Sequence, residues 1–287
     1  MTFHLHLGAH KTASTHIQAT LKKHRQGLAA DGVMYHAPED VQTLIRSGGH
    51  ASAQMRALPS LRRAVASRRL LRLDTDVDRI VASHENSLGL CTEIFRARQL
   101  YPTAYRRLMI WRRLAERRPI TIYLAIRNYA PFFSGAYIQA IRNAAFFEPD
   151  TAEKTDLITL PRRWPDVVKD IGKALPGARL IVWRYEDYPE ISSSVLKSMT
   201  GQTPTPVQRR PMATPSQIAF QTLRESAVRT GTITNVDLDQ VIKKHPITDD
   251  AQRFSLWSME ETALLTARYS EDVNQLHYDL GEDFLHR

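Results

Sequence analysis

Gly8-Ala9-His10-Lys11-Thr12-Ala13-Ser14-Thr15 is the run whose residue types most clearly suit chemistry. Lys11 brings a full positive charge, and Thr12, Ser14 and Thr15 bring short hydroxyl donors. Such a set fits an oxyanion, above all when the backbone N–H groups of a helix N-terminus point at the same place. It is not a Walker A loop, which needs G-x-x-x-x-G-K-[ST] with the lysine after the second glycine; here the lysine precedes the hydroxyls. A second run, Arg127-Asn128-Tyr129-Ala130-Pro131-Phe132-Phe133-Ser134, offers a guanidinium that can clamp a phosphate dianion bidentately.

These groups need elements to position them. Phe3, Leu5 and Leu7 alternate with His4 and His6, a strand pattern running into Gly8. Ile17, Leu21 and Leu28 recur at helical spacing, predicting a helix that ends near Asp31-Gly32. The first run therefore lies between a strand and a helix N-terminus. Arg79-Ile80-Val81-Ala82-Ser83 reads as a strand ending at His84-Glu85, and Tyr105, Leu108, Trp111 and Ala115 mark a further helix. Ile120 to Ile126 is the clearest buried strand; it ends at Arg127, and a helix follows Pro131. A helix over Pro165 to Leu175 precedes a strand at Leu180 to Trp183. Gly48 to about Leu73 reads as basic and helical, interrupted at Pro59; Thr203 to Pro215 reads as a loop; the chain closes on a helix from Glu261 to Leu280. Strands alternating with helices imply an α/β fold with a parallel central sheet flanked by helices. One domain over 1–287 is expected, with a core to about residue 200 and a helical C-terminal extension over about 201–287.

Composition sets the outer bounds. The chain has 287 residues, 43% hydrophobic and 24% charged, which is globular rather than disordered. A net charge of +9 favours an anionic partner without choosing one. The single cysteine, Cys91, excludes an internal disulfide and a multi-cysteine zinc site. The first residues lack a signal-peptide pattern, and no run is long and apolar enough for a membrane span, so a cytoplasmic protein is expected.

The loop at Lys11 resembles the 5′-phosphosulfate loop of sulfotransferases that use 3′-phosphoadenosine 5′-phosphosulfate (PAPS), in particular the bacterial and carbohydrate-type group with a His-Lys-Thr-Gly-Ser/Thr-Thr pattern. Ala13 stands where that pattern has glycine. The Arg127–Ser134 run is similar to the family's 3′-phosphate motif, an arginine just after a strand and a serine seven residues on. The family usually has proline two residues after the arginine, whereas here Tyr129 occupies that place and Pro131 follows. Val81 to Glu85 looks like the strand end that carries a catalytic residue, and Val182-Trp183-Arg184-Tyr185-Glu186-Asp187 is similar to the family's strand followed by Tyr-Glu-Asp. Arg209-Arg210-Pro211 and the last helix resemble the layout of bacterial members.

The resemblance implies a P-loop-like sheet and transfer of a sulfuryl group from PAPS to an acceptor hydroxyl or amine, by in-line displacement and without a metal. It implies that Lys11 sits at the oxygen bridging phosphate and sulfate. Thr12, Ser14 and Thr15, with the loop amides, would hold the 5′-phosphate, His10 and Ala13 being part of the same cofactor-binding loop. Arg127 and Ser134 would hold the 3′-phosphate. Glu85 is favoured over His84 as base, because relatives commonly show Ser-x-Glu there and adjacent strand residues point to opposite faces. His10 could act beside the transferring group.

Other readings compete. His4-x-His6 begins some metal-dependent amidohydrolases, but the strands ending at Arg127 and Arg184 supply no further ligands for a cation. Arg62, Arg63, Arg68, Arg69 and Arg72, and Arg106, Arg107, Arg112, Arg113, Arg117 and Arg118, could neutralise nucleic-acid phosphates; for paired arginines on amphipathic helices a solvated helix face is the favoured reading, and a groove for an anionic acceptor is a third. A nucleic-acid-binding protein, or a non-catalytic nucleotide-binding protein of the same fold, is the alternative. The acceptor is open, with a glycan as one choice; no stable nucleic-acid partner is expected.

Overall fold

The structure is a computed structural model that describes residues 1–45, 77–142, 146–208, 214–249 and 252–286. The basic segment at Gly48 to Leu73, with its arginines, and the Arg209-Arg210-Pro211 run lie outside the described residues.

The strongest apolar run makes the central strand. β4 (Ile120–Ile126) is buried along nearly its whole length, as a strand with helices on both faces must be. β1 (Thr2–His6) lies beside it and β3 (Arg79–Ser83) beside β1. With β2 (Val33–His36), β5 (Arg179–Arg184) and β6 (Phe284–Leu285) they form one sheet in the order β2-β3-β1-β4-β5-β6. Every pairing is parallel. The α/β, P-loop-like fold expected from the sequence is present. All the carboxyl ends share one edge, where sheets of this kind place their ligands.

Helices cover both faces. α1 (Ser14–Lys23) and α10 (Tyr188–Thr200) pack Ile17, Leu21, Val195 and Leu196 against one face, with Tyr123 and Trp183 of the sheet. On the other face lie α4 (Cys91–Ala97), α7 (Tyr129–Arg142), α9 (Trp164–Ala174) and α13 (Met259–Leu280). Phe3 and Leu5 of β1 join that larger core, whereas His4 and His6 lie on the opposite face, against Tyr123 and Trp183.

Several boundaries differ from the sequence reading. The first helix does not run unbroken to Gly32: it stops at His24 and a second, α2 (Arg25–Ala30), follows. The Tyr105–Ala115 helix is two short ones, α5 (Ala104–Leu108) and α6 (Arg112–Ala115). β2 and β6 were not anticipated; each is short and lies at a sheet edge, where little alternation accumulates. The C-terminal segment is therefore not helical throughout, since β6 pairs with β5. α7 starts at Tyr129 and takes Pro131 in its first turn, where a missing N–H removes no helical bond.

Candidate active site

The turn between β1 and α1 is built on left-handed backbone. Gly8 has φ +48°, Lys11 62° and Ala13 64°. A Cβ on Gly8 would collide with Ser14 Oγ and lie 3.0 Å from His6 Nε2, so only glycine fits. Ala13, at φ 64° and ψ 14°, carries the left-handed penalty of roughly 1–2 kcal/mol that glycine would avoid. Thr12 Oγ1 donates to Ala9 O at 2.6 Å and Ser14 Oγ to the same oxygen at 3.4 Å, so both hydroxyls shape the turn. Thr15 is exposed. Among the described residues, the N–H groups of Lys11 to Thr15 donate to no backbone carbonyl. Unpaired amides gathered at a helix N-terminus form a concavity for an anion.

Lys11 and Arg127, far apart in sequence, meet here. Arg127 Nη1 donates to Lys11 O at 2.6 Å. The guanidinium lies over the Tyr185 ring, 4.3 Å from its centroid. Its Nε is buried with no partner, and burial pushes its pKa down. The Arg127 carbonyl accepts from Trp164 Nε1 at 2.9 Å, which fixes the end of β4. Lys11 lays its stem against Gly135 of α7, and its Nζ reaches Gln139 Oε1 at 3.4 Å. Burial, helped by Arg142 and Arg127, pushes the Lys11 pKa down to about 8. Neither cation has a carboxylate within salt-bridge distance among the described residues. Ser134 is buried within α7; its Oγ donates to Ala130 O at 2.9 Å and accepts from Leu256 N at 3.2 Å.

His84 and Glu85 lie just past the end of β3, and a single 3-10 turn (Glu85–Ser87) sends them different ways. His84 is buried, with Nδ1 2.7 Å from Ser87 Oγ, which also accepts from Trp111 Nε1 at 3.2 Å. Burial pushes its pKa down to about 4, so the ring is neutral at pH 7. Glu85 turns toward α1, where its Oε2 accepts from Gln18 Nε2 at 2.6 Å. His10 is locked by the Tyr101 hydroxyl, which accepts from the His10 backbone N–H at 2.8 Å and donates to Nδ1 at 2.9 Å. That leaves Nε2–H to reach Asn86 Oδ1 at 3.3 Å. Burial lowers the pKa of His10.

Sequence reasoning did not identify Gln18, Gln139, Tyr101 or Trp164 as site residues. Gln18 could have been found, since it lies one helical turn after Ser14 and faces the same end of the sheet. Tyr185 stood in a run already singled out, without its role as a plate under Arg127. His4 bonds to Tyr123 OH at 2.9 Å and Thr2 Oγ1 at 3.1 Å, and no group of three or more His, Cys, Asp or Glu gathers as a metal site among the described residues. In the second arginine cluster, Arg107 pairs with Glu93 at 2.7 Å and Arg112 with Glu116 at 3.0 Å.

No family model matches the chain, and no curated protein does. Among solved structures the chain is similar to a sulfotransferase from Alicyclobacillus acidocaldarius. The identity is 14% and the TM-score 0.42, over 87% of this chain and 97% of that one. No helix among the described residues is long and apolar enough to cross a membrane.

Proposed function

We propose that the chain is a PAPS-dependent sulfotransferase. The observation that carries the reading is the Arg127–Lys11 contact: two cations from separate motifs meet at the carboxyl edge of the sheet. Desolvated cations beside unpaired amides call for an anion of high charge, and a nucleotide with phosphates at both ends supplies it. In this reading the loop amides hold the 5′-phosphate. Lys11 neutralises the charge that builds on the bridging oxygen as the S–O bond to it breaks. Arg127 and Ser134 take the 3′-phosphate, with Tyr185 keeping the guanidinium plane in place. Glu85, oriented by Gln18, accepts the acceptor's proton while the acceptor oxygen or nitrogen bonds to sulfur. The acceptor is a hydroxyl or amine, with a glycan among the choices, and the protein works in the cytoplasm.

Thermal denaturation with 3′,5′-ADP and with 5′-AMP tests the reading. Saturation at about 100 times Kd adds about 2.7 kcal/mol, or roughly 5 °C or more for a chain of this size. Stabilisation by 3′,5′-ADP well above that by 5′-AMP is expected. Equal stabilisation by both removes Arg127 as a 3′-phosphate clamp, and no response to either removes the donor site.

A further inference from the structure

His6 lies beneath the turn, and the reading above leaves it without a task. It is 1% exposed and stacks on Trp183 with centroids 6.2 Å apart and planes at 17°. Its Nδ1 lies 2.9 Å from Ser83 Oγ. That oxygen already accepts from Gln18 Nε2 at 3.0 Å, and the same amide nitrogen donates to Glu85. Ser83 has one proton, and among its hydrogen bonds His6 Nδ1 is the acceptor available for it. With the Ser83 proton directed at Nδ1, the hydrogen-bond network assigns the ring proton to Nε2. Burial pushes the His6 pKa down to about 4, so the ring is neutral and carries that single proton. His6 Nε2 is buried with no hydrogen-bond partner, although buried donors in folded proteins almost always have one. That nitrogen lies against the turn: Nε2 and Cε1 are the ring atoms that a Cβ on Gly8 would meet, at 3.0 Å, beside Ser14 Oγ.

We propose that His6 Nε2–H is a ligand of the oxyanion held by the turn from Gly8 to Ser14, donating to it from below. The proposal rests on the anion-site reading above and adds a ligand to it. The species recognised is a phosphoryl or sulfuryl oxyanion, which accepts hydrogen bonds and donates none when fully ionised. Glu85, Gln18 and Ser83 thereby acquire a second task. Their chain of hydrogen bonds fixes the ring tautomer, so that a donor rather than a lone pair faces the anion.

The experiment is 15N NMR of the histidine rings in the full chain, free and with 3′,5′-ADP or inorganic phosphate, together with affinities for two variants. In the free protein His6 is expected to be neutral with its proton on Nε2, and that proton to move downfield on saturation. His6→Phe, which keeps the ring shape, should weaken 3′,5′-ADP binding roughly tenfold to a hundredfold. His6→Gln, whose amide nitrogen can occupy the Nε2 position, should recover much of the loss. A shift with both ligands assigns the contact to any phosphate; a shift with the nucleotide alone assigns it to the nucleotide's phosphate. A proton on Nδ1, an Nε2–H signal unmoved at saturation, or equal affinity in a folded His6→Phe overturns the role of His6 alone. Wild-type protein that binds neither ligand overturns the parent reading and this one together. Should His6→Phe fail to fold, the wild-type spectra decide.

Discussion

Raising the pH from 7 to 9.5 should weaken binding of 3′,5′-ADP far earlier than lysine chemistry normally allows. Lys11 falls from an ordinary 10.5 to about 8 because it is desolvated and flanked by Arg142 and Arg127. That displacement corresponds to about 3 kcal/mol against the charged form in the free protein. A bound phosphate reverses the balance and restores the proton. The logarithm of the affinity should therefore be nearly level from pH 7 to 7.5, bend near pH 8 and approach a slope of −1 above pH about 9. At pH 8.5 binding should take up about three-quarters of a proton, measured by titration calorimetry in buffers of different ionisation enthalpy. The window is clean for physical reasons. Burial holds the Cys91 thiol up at about 12 and Tyr101 well above 10, and His10 is already neutral. The ligand's phosphates, with second pKa values near 6, are about nine-tenths ionised at pH 7 and essentially fully so by about pH 8. Lys11→Arg, which cannot lose its charge, should remove the slope. The stability of the free protein has the opposite sign. The folded pKa lies below the unfolded one, so the unfolded chain holds more protons between about 8 and 10.5, and stability rises with pH there. Lys11→Met should abolish that part of the rise. Affinity that stays level to pH 9.5, with no proton uptake, would refute the placement of Lys11 as a buried cation at the anion site.

Three further substitutions probe the neighbourhood. Ala13→Gly should stabilise the protein by about 1 kcal/mol, because relief of the left-handed strain exceeds the added entropy of the unfolded chain; differential scanning calorimetry should show Tm rising by about 2 °C. Tyr185→Leu removes the plate under Arg127 and should cost about 0.5–2 kcal/mol of 3′,5′-ADP binding with little change for 5′-AMP, measured by calorimetric titration. Glu85→Gln keeps a polar neighbour for Gln18 but removes the base. Turnover with labelled PAPS should fall by about 10²-fold or more while 3′,5′-ADP affinity stays within about twofold, and unchanged turnover would move the base to His84.

What could be read from residues alone follows from how local each signal is. The strand at Ile120–Ile126 and the Gly8–Thr15 turn were legible because each is a contiguous run whose composition declares it. Their meeting was legible only as topology: parallel strands bring their carboxyl ends to one edge, and that rule places Lys11, Glu85 and Arg127 together without saying what they touch. The alanine-for-glycine departure at Ala13 could be noticed in the sequence, but its penalty depends on a φ of 64° that no residue type reveals. His6 shows the limit most sharply. Alternation puts it on the face opposite Phe3 and Leu5, which is all that periodicity contains. Its chemistry depends on Ser83 taking one nitrogen, Gln18 setting the direction of the Ser83 proton, Trp183 excluding water, and Gly8 leaving room at the other nitrogen. Ser83 and Trp183 come from distant parts of the chain, and the ring becomes a directed donor only when all four residues are in place. A site assembled this way is written in contacts, so a substitution at Gln18 or Ser83 should reach the anion without either residue touching it.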